Sequence, residues 1–157
     1  MTRRNKRSQR GNSLVEFALA SSTLILSFSG AFQFGFGFYR YNMLESAVSA
    51  GARYASTRTY RCARGTTDVD AIKMAVRNVV VYGTPAPDNN SRPIIPGLDT
   101  TAVYVNYTLS STGVPTYITV GIQSLNIDVV FTTFTLTGKP YVSFPFMGRY
   151  APQEAEG

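Results

Sequence analysis

The sequence predicts an α+β protein: a long N-terminal transmembrane helix continuing into a small globular domain with a second helix and an antiparallel sheet of three to four strands. Three observations predict it. Residues 12–39 carry a single charged residue, Glu16, in 28 positions. Apolar and small residues then recur at helical spacing to about residue 60, and again over residues 69–80. From residue 100 the period changes to two, and β-branched and aromatic residues dominate.

The first segment is defined by what it lacks. Residues 12–39 contain no Lys, Arg or Asp. As a helix at ~1.5 Å per residue they reach about 42 Å, against a hydrocarbon core of ~30 Å. Tyr39, Arg40 and Tyr41 follow as an interfacial exit, because tyrosines favour the membrane–water boundary and an arginine reaches past it. The helix continues over residues 40–60, where Ala47, Gly51 and Ala55 recur every four residues as a strip of small side chains that lets another backbone approach closely. Leu44 and Val48 lie beside it. At about 70 Å in all, such a helix outreaches the membrane, so its second half must stand in water and pack on something.

The globular domain is expected over residues 61–150. Gly65 reads as a stop and Thr67 as the cap of a second helix, with Asp68 and Asp70 in its first turn where the helix dipole favours acids. Val69, Ile72, Val76, Val79 and Val80 share one face, and Gly83 ends the helix. Four prolines make residues 84–97 a loop. Val103, Val105, Tyr107 and Leu109 alternate along a strand, and a turn follows over residues 110–113. The strand-rich stretch 117–134 places Ile118, Val120 and Ile122 on one face. Gly138 marks a further turn, and a last strand over residues 141–150 is confined to an edge by Pro145. Residues 151–157 read as a flexible tail.

Charge and composition exclude several functions. The net charge of +6 is concentrated in Arg3, Arg4, Lys6, Arg7 and Arg10. Removing those five leaves 10 basic against 9 acidic residues, or +1 over residues 12–157. Nucleic-acid binding needs a basic stripe on the folded domain, which is missing. The basic leader, residues 1–11, instead follows the rule that Lys and Arg stay on the cytoplasmic side of a span. With no His and one Cys, Cys62, there is no Ser-His-Asp or Cys-His catalytic arrangement, no intramolecular disulfide and no CxxC motif. Asp68 and Asp70 form a close acid pair, and helix capping accounts for them. The expectation is a protein that is not an enzyme, with no cofactor, metal or small-molecule substrate. Cys62 reads as a half-buried small side chain, or alternatively as one half of an intermolecular disulfide.

The residues that carry the argument are RGNSLVEFALA, from Arg10 to Ala20. Basic sequence runs up to Gly11, four uncharged residues follow, and then comes Glu16 at the head of an apolar run. An acid inside a span costs about 2.5–3.5 kcal/mol on insertion scales, so it requires a function or a partner. If the chain is cut after Gly11, Asn12 gains a cationic amine, and the amine of one subunit is able to neutralise Glu16 of a neighbour.

This leader, glycine and acid resemble the prepilin signature, and RGNSLVEFALA with the later AGARYAS, residues 50–56, resembles the start of TadE-like proteins of tight-adherence pilus systems. The resemblance covers about residues 10–56. It implies a processing site at Gly11/Asn12 for a prepilin peptidase, and an assembly role for Glu16 and Phe17. It also implies partners in membrane lipid and in other pilin or pseudopilin subunits. The protein would sit in the cytoplasmic membrane as a single span with its N-terminus inside and its C-terminal domain outside. Asn12 stands where better-known type IV pilins carry Phe, and their common cysteine pair is missing. Two plainer readings compete. A secretory signal has an apolar core of only about 7–15 residues, shorter than this run. An uncleaved single-pass anchor carrying a binding module explains the same hydropathy and leaves Glu16 near the interface.

Overall fold

The computed structural model describes residues 6–61, 66–129 and 133–151, with side-chain surroundings over 11–60, 69–129 and 133–150. Cys62, Gly65, the side chains of Thr67 and Asp68, the leader residues Arg3 and Arg4, and the tail from Pro152 lie outside that description. The chain divides into two compact units, Met1–Phe38 and Tyr39–Gly157.

Helix α1 runs Lys6–Ser56. Within the first unit most of its large apolar side chains are exposed, including Leu14, Phe17, Leu24, Leu26 and Phe32, while Phe36 is half-buried. Ser22, Thr23 and Ser27 turn their hydroxyls back to the carbonyls of Ala18, Leu19 and Thr23 at 2.9–3.0 Å. That is how a hydroxyl is satisfied where no water is at hand. Gly30 and Gly35 are helical, with open space where a side chain would stand.

The second unit is built on the other half of α1. Leu44, Val48, Ala52 and Ala55 are fully buried. They pack with Val76, Val80 and Val81 of α2 (Thr66–Tyr82) and with Ile95 and Leu98 of the following loop. Burial of each branched side chain contributes about 1.5–3 kcal/mol. Helix α2 stops at Gly83, which has φ +77° and returns its N–H to the Val79 carbonyl at 2.9 Å. A positive φ at that position is what glycine supplies without a Cβ penalty.

Helix α1 ends at Ser56, short of the expected residue 60. Ser56 and Thr57 bond back to Arg53 and Tyr54, and the Ser56 carbonyl accepts from the Met147 N–H at 2.9 Å. A distant segment therefore satisfies the end of the helix. The same segment forms a parallel pair with β1 (Tyr60–Arg61) through β7 (Tyr150–Ala151). Gly148 lies so close to the Arg58 carbonyl that any Cβ there would overlap backbone.

The main sheet is antiparallel in the order β2 (Val103–Leu109), β3 (Pro115–Ile122), β6 (Tyr141–Pro145). Val103, Val105, Ile118, Val120 and Ile122 face the helices and are buried. Pro145 lies on the edge strand, as its missing N–H requires. Where stretch 117–134 reads as strand throughout, the structure divides it. Gln123 leaves the sheet, donating to the Ala102 carbonyl and accepting from the Gly138 N–H. A separate hairpin follows, β4 (Ser124–Asp128) with β5 (Thr133–Thr137). A short 3-10 turn over Thr100–Ala102 precedes β2. It is capped by the Asp99 carboxylate, which the Thr100 backbone N–H holds below the usual carboxylate range.

Candidate functional site

The residues expected at the processing site and in assembly, Gly11, Asn12, Glu16 and Phe17, fall within about two turns of α1. Gly11 is exposed, and no atom lies within 4 Å of where its side chain would be. Asn12 is exposed, and its Nδ2 donates to Glu16 Oε1 at 3.4 Å, a long bond between residues one turn apart. Phe17, 72% exposed, and Leu14, Val15 and Leu19 are exposed apolar side chains on the same stretch of helix. Glu16 is thus an acid on an exposed, largely apolar helix surface, where it accepts from the Asn12 carboxamide. A neutral amide at 3.4 Å leaves most of the acceptor capacity of a carboxylate unused.

The other candidate residues, Ala47, Gly51 and Ala55, lie in the second unit and are buried. The structure puts α2 of the same chain against this strip. A Cβ on Gly51 would run into the Val80 side chain, with the Val76 carbonyl at 3.5 Å. The strip is therefore occupied from within the chain at Gly51. The polar side of the same helix is open. Asn42, Glu45, Ser49 and Arg53 line a shallow groove with Val79 and Pro85.

Two ties could not be read from the sequence. Arg40 Nη1 donates to the Asp128 carbonyl at 3.0 Å, across 88 residues. Tyr60 stacks on Tyr150, meets Phe146 edge-on and lies tilted against Tyr107, with ring centroids 5.1–6.4 Å apart. Burial within that cluster, with Tyr60 beside it, pushes the Tyr107 hydroxyl up to about 12. Among the described residues no group of three or more His, Cys, Asp or Glu is placed to hold a metal. Asp70 is exposed and meets Lys73 at 4.0 Å, an ordinary pair on one helix face.

Among the described residues one helix is long and apolar enough to cross a membrane, none of its apolar window is buried, and it leads into an α+β domain. The family model described as TadE-like protein matches residues 11–53, that is, α1 from Gly11 to within a turn of its end. In that helix the chain is similar to the TadE-like proteins of pilus systems, while the α+β domain from residue 54 onward lies outside the match. Neither the curated proteins nor the solved structures gave a match.

Proposed function

We propose that this chain is a TadE-type pilin-like subunit, cut by a prepilin peptidase between Gly11 and Asn12, that takes part in assembling an adhesive pilus or secretion apparatus. The observation that carries the reading is Glu16, an acid standing alone among exposed apolar side chains five residues past Gly11. The family match, which begins at Gly11, supports it. Before cleavage the Asn12 amide is the acid's partner. Cleavage adds a cationic amine on the same residue, and in a helical stack that amine pairs with Glu16 of an adjoining copy. An unpaired charge in a dry core is strongly unfavourable, so the pair sets the axial register between subunits. Gly11 assists the cut. A peptide bond must leave helical geometry to enter a protease, and Gly disfavours the helix by about 1 kcal/mol relative to Ala.

In the membrane the chain is read as a single span over residues 12–39, its leader inside and its globular domain outside the cytoplasm. N-terminal sequencing of protein purified from membranes that contain the peptidase tests the proposal directly. The expected first residue is Asn12, and an intact leader would leave only a tethered domain. Glu16→Ala is expected to insert normally and to be cleaved, yet to abolish incorporation into filaments. Normal filaments from that variant would remove the role given to the carboxylate.

A further inference from the structure

The main sheet has two faces of different chemistry. On one, Val105, Ile118 and Val120 are buried. On the other, the register sets Tyr104, Gly121 and Tyr141 in one row across the three strands. A Cβ on Gly121 would come within 2.6 Å of the Tyr104 Cζ and hydroxyl and within 2.7 Å of the Tyr141 Cβ. Glycine is therefore what lets the Tyr104 ring lie over the middle strand, beside Tyr141. The next row is Asn106, Thr119 and Ser143. The Thr119 and Ser143 hydroxyls lie 3.1 Å apart and share one hydrogen bond, which leaves the pair a donor and acceptor positions to spare. Asn106 is exposed, and its carboxamide makes no side-chain hydrogen bond among the described residues. The third row centres on Tyr117, between Thr108 and Pro145. Tyr117 is 52% and Tyr141 57% exposed, so both rings present area to solvent.

No position in the three rows is charged. Phosphate contacts dominate nucleic-acid affinity, so a face without Lys or Arg does not suit a nucleic acid, whatever its rings can stack on. Against a lipid or an apolar protein surface, the row of Asn106, Thr119 and Ser143 would lose its hydrogen bonds to water without replacement. Size argues the same way. Three strands ~4.8 Å apart, and the four residues from Tyr117 to Gly121 at ~3.3 Å each, frame roughly 10 Å by 13 Å, far below the ~800 Å² that a stable protein partner covers. A sugar ring fits both the size and the chemistry. It has an apolar C–H face for an aromatic side chain, and uncharged hydroxyls at its edge that donate and accept. Strand faces serve this purpose in OB-fold barrels.

We propose that this face binds a neutral oligosaccharide, its rings stacked on Tyr104, Tyr117 and Tyr141 and its hydroxyls bonded to Asn106, Thr119 and Ser143. The sugar chain runs along the middle strand, because Tyr117 and the Tyr104–Tyr141 row stand at either end of the hydrogen-bonding row. The site belongs to the globular domain alone and stands whether or not the chain is cut at Gly11.

The test uses the full chain in a zwitterionic detergent without a sugar headgroup. The probes are β-1,4-linked hexamers of glucose and of N-acetylglucosamine, hexamers of mannose and of galactose, and single-stranded oligothymidylate. Calorimetric titration is expected to show at least one of the sugars binding, with a Kd unchanged between about 0.05 and 0.5 M salt because no ion pair forms. Tyr117→Ala and Tyr141→Ala replace exposed side chains, and each is expected to weaken that binding about tenfold, whereas Tyr117→Phe keeps it within about twofold. In the unmodified chain, saturating sugar should protect Tyr117 and Tyr141 from nitration and leave the exposed Tyr39 reactive. Should a variant not fold, the nitration pattern decides alone. Binding of none of the four sugars overturns the proposal. Binding without protection of Tyr117 and Tyr141 also overturns it, since the sugar then sits elsewhere. A salt-sensitive complex with oligothymidylate that protects the same tyrosines assigns the face to nucleic acid and overturns it as well.

Discussion

Helix α1 contains two regions of one continuous secondary structure that obey opposite rules. In its first unit Leu14, Phe17, Leu24 and Phe32 are exposed. In its second, Leu44, Val48, Ala52 and Ala55 are fully buried and polar residues such as Asn42 and Glu45 face out. Hydrogen bonding along the backbone is the same in both. The difference is the solvent each face is built for, and it shows that helical periodicity reports structure while its polarity reports surroundings. A segment apolar on every side leaves the protein no means of covering it alone, whereas a one-sided segment carries its partner in the same chain.

The sharpest way to break this contrast is to remove equal volumes from the two regions. Leu44→Ala is expected to destabilise the globular domain by about 2–5 kcal/mol, through lost burial and a residual cavity. Leu24→Ala should leave that domain's unfolding unchanged. Limited proteolysis and thermal melts in detergent report both, and equal losses would mean that the first unit is also packed inside the chain. Adding volume is the next test. Gly51→Leu forces Val80 and the Val76 backbone apart and is expected to cost about 1–3 kcal/mol or more. Gly30→Leu meets open space within the chain and should not alter the melt of the domain. If Gly51→Leu were as harmless as Gly30→Leu, α2 would not lie on the small-residue strip.

The smallest effect concerns pH and lies wholly in the second region. Tyr107 has its hydroxyl raised from 10.0 to about 12 by burial. A group whose pKa is higher folded than unfolded gives stability that is complete below the unfolded value and is lost as pH rises through the folded one. The domain should therefore hold constant stability from neutrality to about pH 10 with respect to this group, and weaken between about pH 10 and 12. In Tyr107→Phe that part of the alkaline slope should disappear, as followed by circular dichroism across the window. An unchanged slope would place the loss on other tyrosines.

Much of the architecture was legible because the signals are local. The end of α2 at Gly83 follows from one residue that tolerates positive φ. The inward row Ile118, Val120 and Ile122 follows from a period of two, and the edge position of Pro145 from its missing N–H. The candidate site was legible as a pattern of charge against apolarity around Gly11 and Glu16. The early stop of α1 was not, because the group that takes the Ser56 carbonyl is the N–H of Met147, 91 residues away. The division of stretch 117–134 was equally hidden, since Gln123 is drawn out of the sheet by Ala102 and Gly138, not by anything in its own neighbourhood.

By itself, the sequence determined that α1 would be helical, where its apolar run begins and ends, and that one carboxylate stands within it. These follow from backbone propensity and from the cost of placing charge in hydrocarbon, which act on each residue wherever the rest of the chain lies. Only the tertiary structure decided that α2 fills the small-residue strip at Gly51, that Gly148 closes on Arg58, and that Arg40 donates to the Asp128 carbonyl. Those depend on which distant groups arrive at the same place, and a short-range pattern of residues holds no record of that.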